Sequence, residues 1–155
     1  MANRGKQFEP IIREAFERVP GVSIDRIPDQ TMQYKGAANI CDFIVYKEPY
    51  EYYVECKSVK GASLPFSNIT TTQWNGMLQK SKISGVHAGI ICWFIDKQVT
   101  LFIPIQALEH MKEQGYKSIR YDADPYNMIL KPISGKRKRV FFEYDMTSFF
   151  EEVIL

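Results

Sequence analysis

Few of the residues that mark specialised chains are present. The three cysteines, Cys41, Cys56 and Cys92, are an odd number, show no CxxC spacing and sit in apolar, strand-like runs. Reduced thiols in a cytosolic core account for them better than a disulfide framework or a zinc site. The two histidines, His87 and His110, stand far apart with no ligand spacing around either, which argues against a histidine-based metal site. No apolar run approaches the ~18 residues that a membrane span needs. The opening residues Met1 to Gln7 hold no apolar stretch that could act as a secretory signal. A cytoplasmic protein without a membrane partner is expected. Repeats, low-complexity tracts and linkers are also missing, so the 155 residues point to one domain spanning 1–155 around a single core. Net charge is only +2, too little to draw the whole molecule to nucleic acid. Binding of that kind would have to come from local groups of Lys and Arg.

Periodicity, by contrast, is strong. Phe8, Ile11, Ile12, Ala15, Phe16 and Val19 recur at helical spacing, which predicts an amphipathic helix from about Lys6 to Arg18, ended by Pro20-Gly21. Ser23 to Asn39 reads as polar and irregular. Ile40–Lys47 and Tyr50–Lys57 are strand-like, and Glu48-Pro49 between them predicts a β-hairpin. A loop over Gly61–Ile69 leads to Thr70-Thr71-Thr72-Gln73 and a helix to about Ser84. His87–Ile95 and Val99–Ile103 are strands around an Asp96-Lys97 turn, and Pro104 opens a short helix to about Gln114. Further strand is expected over Tyr126–Phe142, broken at Ser134-Gly135, and a closing helix over Met146–Val153. This order fits an α/β or α+β layered domain.

Chemistry concentrates in the hairpin. If its turn is centred between Glu48 and Pro49, Asp42 and Glu55 lie directly opposite each other, on one face and about 4.5–5.5 Å apart at Cβ. Lys57 shares that face, because strand side chains alternate with period two. Two carboxylates so close resist joint ionisation unless positive charge sits between them. A hard divalent cation such as Mg²⁺, with Mn²⁺ able to substitute, suits this pair together with waters and a substrate phosphate. Lys57 would then position or deprotonate a water, or neutralise charge developing on phosphate oxygens. The reaction such a set could drive is hydrolysis of a phosphodiester. Asp42 stands among the core-forming Ile40, Cys41, Phe43, Ile44 and Val45, where an unpaired carboxylate would cost several kcal/mol. The bland reading is an exposed strand face with cross-strand ion pairs. Pro28-Asp29, in the polar stretch, is set aside in favour of Asp42.

These residues resemble the RecU-type Holliday junction resolvases of the PD-(D/E)XK nuclease superfamily. The likeness runs from Asn3-Arg4-Gly5-Lys6 and Phe8-Glu9 through Asp42 and Glu55-Cys56-Lys57, then along Ser58 to Ile69 and on to Gln73. It covers the first half of the chain well and the second only in its order of elements. The resemblance implies a restriction-endonuclease-like core, a central mixed β-sheet whose antiparallel hairpin carries the active site, flanked by helices. It implies a magnesium site made by Asp42, Glu55, Gln73 and the backbone carbonyl of Cys56, with Lys57 stabilising the transition state and Glu9 facing the metal. It also implies a homodimer acting on branched double-stranded DNA. Two departures stand out. Ile40 occupies the position where the family has a metal-contacting threonine. Only Val22 to Cys41 separate the first helix from Asp42, too few for the family's junction-reaching projection; a compact, phage-encoded version would fit.

Candidate DNA contacts are Arg4, Lys6, Lys60 and the run Lys136-Arg137-Lys138-Arg139, which Ser134-Gly135 is expected to crowd onto a hairpin turn. Each has a plainer reading as solvated surface. Gln73 also completes a Thr70-x-x-Gln73 capping box, and Glu9 sits where it would favour the positive end of its helix. Trp74, Trp93, Tyr50 and Tyr52 read as core or dimer contact, with Tyr53 alone sharing the face of Glu55. Two alternatives remain open: a nuclease of the same fold cutting other DNA, and a DNA-binding module without catalysis.

Overall fold

The computed structural model describes residues 4–28, 39–123, 131–138 and 141–152. Helix α1 (Arg4–Glu17) forms where the periodicity places it, burying Phe8, Ile12, Ala15 and Phe16 along one stripe. The chain turns out of it through Gly21, whose φ of +78° is one that a side chain would disfavour. Strand β1 (Ser23–Arg26) follows, then β2 (Phe43–Lys47) and β3 (Tyr50–Val59), with Glu48-Pro49 as the turn. After β4 (Ser63–Pro65) and a single 3₁₀ turn comes α2 (Thr71–Ser81), which leads to β5 (Val86–Phe94) and β6 (Val99–Pro104). The remaining elements are α3 (Ile105–Glu113), β7 (Ser118–Arg120), β8 (Lys131–Pro132), β9 (Gly135–Lys138), β10 (Phe141–Tyr144) and α4 (Thr147–Glu152).

Six strands make the central sheet in the order β1-β2-β3-β5-β6-β8. Only β3 and β5 run parallel, because α2 crosses over between them; every other neighbour is antiparallel. The sheet is therefore mixed and flanked by helices, as expected from the α+β order and the resemblance. Alternation along β3 and β5 splits the core into two layers. Tyr52, Val54, Ile91 and Trp93 pack against α1 and α4 through Phe8, Phe16 and Phe149. Tyr53, Ile90 and Cys92 pack against α2 and α3 through Trp74, Met77, Leu108 and Met111.

Four expectations need correction. The stretch from Ser23 is not irregular at its start, because β1 pairs with β2 from Ser23 opposite Tyr46 to Arg26 opposite Phe43. Being an edge strand, β1 alternates exposed and half-buried residues, so its sequence looks polar. Ladder pairing in the second segment begins at Phe43, not Ile40. The loop after β3 contains β4, which pairs with β7. Finally, Gly135 opens a strand instead of a turn: Gly135–Lys138 pairs with Phe141–Tyr144, so the basic residues line a strand. Residues Tyr126 to Leu130, Val153 and Asp29 lie outside the described residues.

Candidate active site

The site forms where β2 gives out. The regular register of the hairpin ends at Phe43 opposite Val54. One residue earlier, the Asp42 amide donates to the Val54 carbonyl at 3.1 Å, so Val54 faces two residues of the other strand. This bulge-like step means Asp42 is not directly opposite Glu55, as the simple register predicted. It bends over the end of β3 instead. There Asp42 Oδ2 accepts the backbone N–H of Cys56 at 2.8 Å, while the Ile27 amide donates to the Asp42 carbonyl at 2.8 Å. The two carboxyls still meet. Glu55 is 4% exposed, close enough for the Asp42 charge to act on it.

Three more groups close on Glu55. Lys57 Nζ lies 3.2 Å from Glu55 Oε2, on the shared strand face. Gln73 Nε2 donates to the same oxygen at 3.0 Å. Gln73 completes a capping box as well: its backbone N–H donates to Thr70 Oγ1 and its Oε1 accepts from the Thr70 amide, each at 3.1 Å. One amide side chain thus starts α2 and holds a site carboxyl, so the capping reading of Gln73 is compatible with a place beside Glu55. In this arrangement its nitrogen, not its oxygen, is turned to the acidic pair.

Electrostatics follow from burial. Burial and then the Asp42 charge push Glu55 up to about 7, with Lys57 opposing them. Asp42 is also raised, chiefly by burial, although the Cys56 N–H counteracts this; the charge of Glu9 adds to the rise. Glu9 also raises the Cys56 thiol, after burial, Asp42 and Glu55. Glu9 therefore stands near the cluster although α1 packs on the other face of the sheet. The Arg26 guanidinium pairs with Glu9. Sequence reasoning passed over Arg26 because it belongs to the edge strand read as irregular.

Backbone direction bears on Cys56. The Glu51 amide donates towards β5, to Gly85 at 2.9 Å. Alternation then turns the main-chain groups of even-numbered β3 residues towards β2. The Cys56 N–H obeys this by reaching Asp42, and its carbonyl faces the same open side past the last ladder pair. Among the described residues, no three His, Cys, Asp or Glu side chains come together as a metal-binding group. The oxygen donors on offer are two carboxylates and a main-chain carbonyl, since the Gln73 oxygen is engaged with the Thr70 amide. That oxygen-rich set, with a largely buried acidic pair short of positive charge, fits a hard divalent cation.

Lys6, Lys60, Lys136, Arg137 and Lys138 are exposed. The side chain of Arg4, and Arg139 altogether, lie outside the described residues. The β9–β10 hairpin leans on the α1 face of the sheet, with Phe141 and Tyr144 packed 5.7 Å and 6.0 Å from Trp93 and Phe8 between ring centres. The Gln73–Glu55 contact is on the opposite, α2 face. Trp74 and Trp93 are buried core residues. Tyr53 is buried beside the site face under Lys80, whose Nζ is 5.3 Å from the ring centre.

No family model matches the sequence, and no curated protein does. Among solved structures the chain is similar to Hjc, a Holliday junction resolvase from the archaeal hyperthermophile Archaeoglobus fulgidus, solved at 1.6 Å. The TM-score is 0.51 at 16% identity, over 77% of this chain and 88% of that one. The fold defined here is of the restriction-endonuclease-like class to which that neighbour belongs. No helix among the described residues is long and apolar enough to cross a membrane.

Proposed function

We propose that this chain is a metal-dependent endonuclease of the PD-(D/E)XK type that cuts four-way DNA junctions by phosphodiester hydrolysis. The observation that carries the reading is the convergence of Asp42, Glu55 and Lys57 at the open end of the hairpin, on a fold shared with a junction resolvase. A buried acidic pair with one matched ammonium is poorly justified as structure, because apolar residues would stabilise that end of the sheet better. It suits hydrolysis of a phosphodiester.

Asp42, Glu55 and the Cys56 carbonyl would hold Mg²⁺ or Mn²⁺, with Gln73 beside them. When bound, the cation supplies charge neutralisation, polarisation of the phosphate and a more acidic water. The protein's own groups do the rest. Lys57, steadied by Glu55, stabilises negative charge growing on the phosphate oxygens. Gln73 keeps Glu55 oriented, and the Glu9–Arg26 pair borders Asp42. Lys136, Arg137 and Lys138, with Arg4, Lys6, Lys60 and Arg139, hold backbone phosphates away from the reacting atoms. A homodimer, which the family resemblance implies, would place two such sites on one junction.

A second reading has a specific observation behind it. Only 16 residues, 27–42, join β1 to β2, which favours a nuclease acting on plain duplex over one that must reach into a junction. Labelled four-way junctions, linear duplex and single strands, each incubated with Mg²⁺ and with a chelator, separate the possibilities. Paired symmetric nicks confined to junctions support the first reading. Duplex cutting supports the second, and binding without cutting in any metal rejects both.

A further inference from the structure

The position before the site that differs from the resolvase pattern is not idle. Ile40, two residues ahead of Asp42, lies on the backbone of α2 at Gly76. A Cβ built on Gly76 would collide with Ile40 Cγ2 and stand 2.7 Å from Ile40 Cβ. Gly76 is not one of the glycines with positive φ, which among the described residues are Gly21, Gly85 and Gly115, so its conformation does not call for glycine. Room does. A glycine inside a helix costs stability relative to alanine, and here that cost is matched by a close approach that any side chain would block.

Both partners lead directly to the acidic pair. Gly76 is one turn along α2 from Gln73, whose Nε2 donates to Glu55 at 3.0 Å. Ile40 precedes Asp42, whose Oδ2 takes the Cys56 N–H at 2.8 Å. Helix α2 cannot simply slide to relieve a clash, because Trp74 and Met77 anchor it in the core. We propose that Ile40 and Gly76 form a positioning contact: the isoleucine seated on bare helix backbone sets the separation between the segment entering Asp42 and the helix carrying Gln73, so both reach Glu55 together. This builds on the nuclease reading but rests on contacts within the chain alone.

The test uses the full chain without metal or DNA, followed by ¹H–¹⁵N NMR. Two signals report the geometry: the Cys56 backbone amide, which donates to Asp42, and the Gln73 side-chain amide, which donates to Glu55. Gly76→Ala should shift both, leaving the Val86 amide at the far end of β5 in place. Ile40→Val keeps Cγ2 and should leave both signals as they are. Gly76→Ala combined with Ile40→Gly removes the collision and should return both towards wild type. Unmoved signals in Gly76→Ala, or no return in the double variant, overturn the proposal. Should Gly76→Ala not fold, Ile40→Ala supplies the reading. It should speed hydrogen exchange at Cys56 about tenfold, what the net worth of one hydrogen bond allows, and unchanged exchange rejects the positioning role. A chain that cuts no DNA would leave this result standing, and rejection of the positioning role would leave the nuclease reading standing.

Discussion

Charge occurs in two opposite settings in this molecule. At the open end of the β2–β3 hairpin, Glu55 is almost fully buried beside the half-buried Asp42, and Lys57 is its ion-pair partner. On β9, Lys136, Arg137 and Lys138 are all exposed, with Glu143 opposite Lys136 in the ladder. Water and salt screen the second group, so it can attract an anionic backbone but hold nothing in fixed geometry. Burial unscreens the first group, fixes its geometry and leaves it short of positive charge. The buried cluster should therefore govern the reaction and the exposed strand the binding, and each can be altered without the other.

The largest effect should come from the cluster. Glu55→Ala or Lys57→Ala should lower junction cutting by about 10³-fold or more, the scale of losing a positioned acid–base or charge-stabilising group. Gel-shift affinity should stay near wild type. A variant that loses binding yet cuts normally at saturating DNA would reverse the division of labour. Reversing the charges of Lys136, Arg137 and Lys138 should do the opposite. Affinity should fall, and the slope of log affinity against log salt should shrink by up to about 2.7, at ~0.9 for each phosphate no longer neutralised. An unchanged slope would remove β9 from the DNA surface.

The buried group should also make stability depend on pH. Glu55 titrates at about 7 in the folded chain against an ordinary 4.5. Its folded value is raised, so folding favours the protonated form. The destabilisation is absent below about 4.5, grows between the two values and is complete above about 7. Glu55→Gln should therefore raise the melting temperature at pH 8, by about 3 °C or more, and change it little at pH 4. Mg²⁺ should stabilise the wild type more at pH 8 than at pH 6, and this gain should vanish in Glu55→Gln. Equal melting shifts at both pH values would contradict the burial argument.

How much of this was visible in sequence differs between the two settings for the same physical reason. The hairpin was legible because its turn and the apolar runs around Asp42 and Glu55 fix a register, and register decides which side chains share a face. Long-range geometry was not. The step that turns Asp42 onto the Cys56 amide is a backbone detail at a strand end, and no residue type announces it. Arg26 was missed because a short edge strand reads as loop. The basic run was legible as charge but misplaced as a turn: Ser134-Gly135 signals a bend, whereas Gly135 sits in β9 with space so tight that a Cβ would stand 2.8 Å from the Tyr144 ring. Ile40 was legible only as a missing ligand, since its partner Gly76 lies 36 residues on, in a helix whose approach the sequence does not specify.

Between the two settings stands Gln73, and the smallest expected effect separates its two tasks. Thr70→Ala removes the hydroxyl that accepts the Gln73 backbone N–H and should cost about 1 kcal/mol of stability, the usual worth of an N-cap. It leaves the Thr70 amide in place, so Gln73 Oε1 keeps its own bond and Nε2 remains on Glu55. Thermal unfolding should therefore show a lower melting temperature while cutting stays within about twofold, because a transition-state contact would have to change for more. Gln73→Ala removes both side-chain bonds, to the Thr70 amide and to Glu55, and should lower stability and cutting together. If Thr70→Ala alone cripples cutting, the cap is what orients Glu55, and the side-chain amide of Gln73 cannot hold that carboxyl without it.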